Sequence, residues 1–165
     1  MKTLILVRHA KSSWSEPGLS DRDRVLNDRG RRNAPEMGKR LAKYHLKPDA
    51  ILSSPAVRAV ATAQLMAEEL DYRRADIRVD DRLYAAEADI LVEVVRELGD
   101  GPDRVMVVGH NPEMTDLAQR LSGTIDHMPT CAVAAFTFDI ASWRDLPAAE
   151  AHSTAFHTPK SRPVP

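Results

Sequence analysis

Three short apolar runs, each closed by polar residues, constrain this chain more than anything else in it. Residues 4–7 (LILV) lead straight into Arg8-His9, residues 50–52 (AIL) into Ser53-Ser54-Pro55, and residues 104–108 (RVMVV) into Gly109-His110-Asn111-Pro112. Unbroken apolar runs of this length read as strands buried on both faces, which is the signature of a parallel sheet covered by helices. Helical patterns lie between them. Ala34, Met37, Leu41 and Tyr44 recur at three- and four-residue steps within residues 27–45. Pro35 leaves two readings there: a helix kinked at the proline, or one that starts near Asn33 with Pro35 in its first turn. Ser54 as N-cap, with Pro55 at the first helical position, predicts a helix reaching residue 70. Residues 89–98 read as a helix ended by Gly99, and Asn111-Pro112 repeats the cap-then-proline signal for a helix reaching residue 121. Further strands are expected at 77–79 and 132–138, and the proline-containing tail from residue 151 is expected to be partly ordered as an edge strand. Residues 11–26 are polar and mixed, with Pro17 and Gly18, and read as a long loop of the kind that often carries function. Strands alternating with helices predict an α/β fold, a three-layer α/β/α sandwich around a mixed or mostly parallel central sheet.

At 165 residues the chain suits a single domain spanning 1–165. Its net charge of −1 supplies no global field for nucleic acid or a membrane surface, so neither partner is expected. Affinity for an anion must then come from local clusters of Arg. Cys131 is the single cysteine, so no internal disulfide can form, and it reads as a small buried hydrophobe. The apolar stretch before Arg8 is too short for a secretory signal, and no stretch approaches the roughly 18 apolar residues of a membrane span. A cytoplasmic location is the expectation.

In open α/β sheets, ligands bind beyond the carboxyl ends of the strands. The three polar strand ends therefore predict one rim where Arg8, His9, Arg58 and His110 meet, although they lie far apart in sequence. Two of these junctions also present a helix N-terminus, which favours an anion. The set suits phosphoryl transfer, which asks mainly for positioning and charge stabilisation. Arg8 and Arg58 offer planar, permanently charged donors for the equatorial oxygens. A neutral imidazole is a competent nucleophile near neutral pH, and His9 is read as that nucleophile, with His110 touching the same phosphoryl group.

These residues resemble a known family. Val7-Arg8-His9-Ala10 is similar to the Arg-His-Gly signature of the histidine phosphatase superfamily, which includes the phosphoglycerate mutases, with Ala10 in place of the usual Gly. LNDRG at 26–30 resembles its Leu-Thr-x-x-Gly segment, and SSPAVRAVATA at 53–63 resembles Ser-Ser-x-x-x-Arg-Ala-x-x-Thr-Ala. Val108-Gly109-His110 resembles its second-histidine motif, and order and spacing agree over residues 3–122. The run Arg8-His9-Ala10-Lys11-Ser12 and the short chain look most like the SixA-type phosphohistidine phosphatases. The resemblance implies a phosphoglycerate mutase-like fold and a metal-free, cofactor-free phosphatase with His9 as nucleophile. By the same carry-over, Arg8, Arg58 and His110 bind the phosphoryl group.

One departure bears on the substrate. Larger relatives carry a proton-donating Glu after a Leu upstream of the second histidine, whereas here Leu83 is followed by Tyr84. An alkoxide leaving group needs an acid. An imidazole, whose conjugate acid has a pKa of about 6.5, does not. The expected substrate is a phosphohistidine on a phosphorelay protein of the histidine-containing phosphotransfer type. The alternative is a phosphatase or mutase acting on a small phosphomonoester, and a third reading is a noncatalytic module that only binds phosphorylated partners. Glu87 is the nearby candidate acid, and Lys11, Ser12 and Arg24 are candidate extensions of the substrate pocket. His45, His127, His152 and His157 lack partners at metal-ligand spacing, so no metal site is expected.

Overall fold

The computed structural model describes residues 1–147 and 150–161. The strands are β1 (Lys2–Arg8), β2 (Ala50–Ser53), β3 (Arg78–Val79), β4 (Arg104–Gly109), β5 (Val133–Phe138) and β6 (Ser153–His157). The helices are α1 (Asp28–Lys43), α2 (Val57–Glu69), α3 (Ala88–Arg96) and α4 (Glu113–Ser122). The sheet order is β3-β2-β4-β1-β5-β6. The first three of those neighbouring pairs are parallel and the two pairs involving β5 are antiparallel, so β5 alone runs against the rest. The tail expected at an edge is β6. No helix among the described residues is long and apolar enough to cross a membrane.

Alternation along the strands builds two cores. Leu4 and Leu6 of β1 and Val105 and Val107 of β4 face Leu91, Val95, Leu117 and Leu121 of α3 and α4. Ile5 and Val7, with Met106 and Val108, face Met37 and Leu41 of α1 and Ala63 and Met66 of α2. Each is closed to solvent, and burying one such aliphatic side chain contributes about 1.5–3 kcal/mol. Helices therefore cover both faces, as the continuous apolar runs require.

Local chemistry sets most helix ends. Asn27 caps α1, its Oδ1 accepting from the Gly30 N–H at 2.9 Å. A Cβ at Gly30 would run into the Lys11 carbonyl oxygen, so only glycine lets the loop lie against this turn. Pro35 lies inside α1, which starts at Asp28 rather than near Asn33. Gly99 ends the α3 region with φ +62°, the left-handed conformation favoured by glycine. The two cap-then-proline signals hold with a displaced start. α2 begins at Val57, two residues beyond Pro55, and α4 begins at Glu113, one beyond Pro112. Ser54 Oγ accepts from the Ala56 N–H ahead of α2, and Asn111 Oδ1 accepts from the Thr115 N–H in the first turn of α4.

The register positions the site. Arg8 pairs with Gly109, Val7 with Val108, and Ser53 also with Val108. The residues that follow, His9, His110 and Ser54, therefore leave the sheet at one level. β5 starts at the same rim, with Val133 opposite Val7.

Candidate active site

Main-chain bonds fix His9 before any side chain does. The His9 N–H donates to the Gly109 carbonyl at 2.9 Å, and the Cys131 N–H donates to the carbonyls of Arg8 and His9 at 3.0 and 3.1 Å. In the ring, His9 Nδ1 lies 2.7 Å from the Ala10 carbonyl oxygen. A carbonyl only accepts, so Nδ1 carries the proton and Nε2 presents its lone pair. Thr62 braces this turn: its Oγ1 accepts from the Ala10 N–H at 2.9 Å and donates to the Arg58 carbonyl at 2.8 Å.

His110 is held through Ser54. Its Nε2 lies 2.7 Å from Ser54 Oγ, which also accepts from the Ala56 N–H at 3.2 Å. Ser54 thus orients the His110 ring through its Nε2. The two rings stand with centroids 5.1 Å apart, tilted by 57°, and the Tyr84 ring meets His110 edge-on at 5.6 Å. Both histidines are buried. Burial, reinforced by the nearby guanidinium groups, pushes His9 down to about 3, partly opposed by the bond to Ala10. Burial first, then Arg58, pushes His110 down to about 4. Both are neutral at pH 7.

Arg8, His9, Arg58 and His110 line one cavity of about 390 Å³, together with Asp21, Tyr84 and Glu113. Arg8 Nη1 donates to the Met128 carbonyl at 3.1 Å, which aims the guanidinium. The buried Nε groups of Arg8 and Arg58 have no partner among the described residues. Arg40 on α1 has an unpaired Nε as well. What distinguishes the cavity is two guanidinium groups converging with two neutral imidazoles. Such a group can receive a tetrahedral anion and attack it from a ring nitrogen. Among the described residues, no three His, Cys, Asp or Glu side chains are grouped to hold a metal ion.

Asp21 and Glu113 carry the carboxyl groups of this lining. Asp21, in a short 3-10 turn at Asp21–Asp23, accepts from Arg58 Nη2 at 2.9 Å and the Tyr84 hydroxyl at 2.7 Å on Oδ2. It accepts from Arg24 Nη1 at 3.0 Å on Oδ1. Chiefly through the Tyr84 bond, then through Arg58, its pKa is held down at about 2. Glu113 is different. Burial pushes its pKa up, while its own N–H and that of Ala86 donate to its carboxyl and partly oppose the shift. Its Oε2 is buried without a partner. Asn111, Pro112 and Glu113, at the start of α4, line the cavity. Asn111 bridges to Met128 and Thr115.

The four expected central residues are brought together; the expected extensions are not. Lys11 is exposed, and Ser12 and Arg24 bond each other, all outside the cavity lining. Glu87 is exposed at the start of α3, beside an adjoining depression with Asp116 and Arg120. Asp21 was missed because a mixed polar loop has no periodicity to read. Glu113 was missed because a first-turn acid reads as an ordinary helix start. Cys131 is buried, its thiol pushed up to about 12.

Comparison with known proteins agrees with this geometry. The family model described as histidine phosphatase superfamily (branch 1) matches residues 4–128. An uncharacterized protein of Mycobacterium tuberculosis (strain H37Rv) is 33% identical over 165 residues, covering 93% of this chain and 100% of its own length. Among solved structures, SixA from Agrobacterium tumefaciens superposes with a TM-score of 0.74 at 29% identity, over 83% of this chain and 92% of its own. SixA from Nakamurella multipartitia, at 23% identity, shares the fold with a TM-score of 0.84 over 97% of both chains.

Proposed function

The chain belongs to the histidine phosphatase superfamily and is a phosphatase, and on that premise we propose that it hydrolyses phosphohistidine on a signalling protein through a covalent phospho-His9. In the first step Nε2 of neutral His9 attacks phosphorus. The substrate ring carries a proton on its distal nitrogen; the P–N bond breaks, its electron pair returns to the ring, and neutral imidazole departs. Arg8, Arg58 and His110 hold the phosphoryl oxygens. In the second step water attacks phospho-His9 and the electron pair returns to Nε2. In a loose transition state the water's proton leaves late, so the departing phosphate carries it.

What carries the choice of a P–N bond is Tyr84. It stands where the family's acid is expected, and its hydroxyl is directed to Asp21. Asp21 is ionised far below neutral pH, and Glu113 is folded onto main-chain N–H groups. An alkoxide would leave here without a placed proton donor, whereas a neutral imidazole needs none. The SixA similarity supports the same reading, with a histidine-containing phosphotransfer protein as partner. The ends of β1 and β4 and the first turn of α2 supply the central four side chains, which supports a single catalytic domain over residues 1–165.

Two measurements test this. Brief reaction with a phosphohistidine protein should leave acid-labile phosphate on His9. Turnover of a phosphohistidine peptide should exceed that of an alkyl phosphate monoester by at least about 100-fold in kcat/KM, the usual scale of a missing general acid. A preference for the alkyl ester would turn the reading toward a small-molecule phosphatase or mutase.

A further inference from the structure

The proposed two-step reaction makes no use of Asp21, although this carboxylate is fixed from three directions. Arg58 comes from α2, Tyr84 from the segment after β3, and Arg24 from Asp21's own loop. Arg58 Nη1 also donates to the Asp21 main-chain oxygen at 2.5 Å, so backbone and side chain are gripped together. Yet half of the Asp21 side chain is exposed, and it lines the cavity beside His9 and His110. Two nitrogens of Arg58 bond Asp21, and the remaining N–H groups stay available for a phosphoryl group.

The rim cations that would otherwise greet a substrate carboxylate are engaged. Arg24 bonds Asp21 through Nη1, Ser12 through Nη2 and the Ser13 carbonyl through Nε, and it stacks on Trp14 at 3.3 Å. Arg22 pairs with Asp81 and lies over the Tyr84 ring. The outer part of the cavity therefore presents the half-exposed carboxylate of Asp21, paired with Arg58 and Arg24, while the positive charges beneath it point at the phosphoryl position.

We propose that Asp21 is a specificity-determining residue that selects the charge of the leaving group. It favours a cationic phosphoimidazole ring and turns away leaving groups that carry a carboxylate. The inference rests on the phosphohistidine reading. A phosphoimidazole protonated on its distal nitrogen is cationic, and a carboxylate nearby stabilises that form. When the P–N bond breaks, the electron pair goes to the ring nitrogen, the distal proton stays where it is, and neutral imidazole departs. A carboxylate on the same ring instead brings a like charge toward Asp21, and such juxtaposition disfavours binding.

Two probes that differ by one carboxymethyl group provide the test: N-phosphoimidazole and N-phosphoimidazole-4-acetate. The wild-type protein should prefer the first by about tenfold in kcat/KM, the effect of a partly screened charge pair. The preference should narrow as salt rises. Asp21→Asn should remove it, and Asp21→Glu should retain most of it. A merely structural Asp21 would lower turnover of both probes together and leave their ratio intact. Equal turnover by the wild type, or an unchanged ratio in Asp21→Asn, overturns the proposal. Absence of acid-labile phosphate on His9 with N-phosphoimidazole is a separate outcome, and it overturns the phosphohistidine reading itself.

Discussion

The inner wall of the cavity and its rim are built by different means. His9 and His110 follow directly from β1 and β4, whose parallel pairing sets their level, and main-chain bonds hold His9 in place. The rim at Asp21 and Tyr84 belongs to connecting segments and is held by side chains reaching across from other elements. A wall continuous with the sheet core cannot shift without breaking strand pairing, so it suits the atoms that react. A rim tied by half-exposed ion pairs costs little to rebuild, because exposed pairs contribute about 0–1 kcal/mol each. Chemistry is thus placed on the rigid part and selectivity on the adaptable part.

The strongest way to break this contrast is His9→Ala. It should abolish the acid-labile phosphoenzyme and lower turnover by at least about 1000-fold, as loss of a nucleophile does. Turnover within tenfold of wild type would remove the wall from the chemistry. Next comes Arg58→Ala, which touches wall and rim together. A loss of about 100- to 1000-fold in kcat is expected from removing a charge-stabilising donor. Arg58→Lys should recover little of it, because an ammonium cannot hold Asp21 and a phosphoryl group in the same planar geometry. A full rescue by Lys would reduce Arg58 to a point charge.

The third prediction separates wall from solvent by titration. In the free protein the ring signals of His9 and His110, followed by NMR, should show no transition near pH 6.5 and should move only towards about 3 and 4. Their folded pKa values lie below the unfolded ones, so the unfolded chain binds more protons between them. Stability contributed by the neutral rings is thus present above about pH 6.5 and is lost as pH falls towards 4 and 3. Histidine transitions near 6.5 at both rings would mean that the wall is open to water.

The smallest effect is expected at Glu113. Its pKa is raised in the folded protein, so wild-type stability declines as pH rises from the ordinary carboxylate range through the raised value. Glu113→Gln has no such dependence. Relative to wild type it should gain as pH rises, by about 1 kcal/mol at most, the scale of one imperfectly bonded buried polar group. Chemical denaturation at pH 5 and pH 8 compares the two. Turnover of a phosphohistidine peptide should change by less than about threefold, since an imidazole leaving group asks for no acid. A large loss would make Glu113 a proton donor.

How much was legible depended on the range of the interaction. The apolar runs at 4–7, 50–52 and 104–108, the three- and four-residue steps within 27–45 and the glycine after α3 are local signals, set by neighbours a few residues away, and they marked the strands and most helices. Arg8, His9, Arg58 and His110 were also legible, because parallel strands must deliver their ends to one rim. The starts of α2 and α4 were misplaced by two residues and one, because Ser54 and Asn111 sit ahead of the first turn and serve distant partners as well as the nearby N–H groups.

By itself, then, the sequence determined the layered architecture and the identity of the four central side chains, since backbone periodicity and strand direction follow from short stretches of chain. Only the tertiary structure decided which ring nitrogen of each histidine faces the cavity, that Asp21 grips Arg58 from 37 positions away, and that Glu113 is buried. Those outcomes depend on where a polar atom finds its partner after packing has excluded water. No pattern along the chain encodes that choice, because the partners become neighbours only once the sheet and its two helical layers have closed.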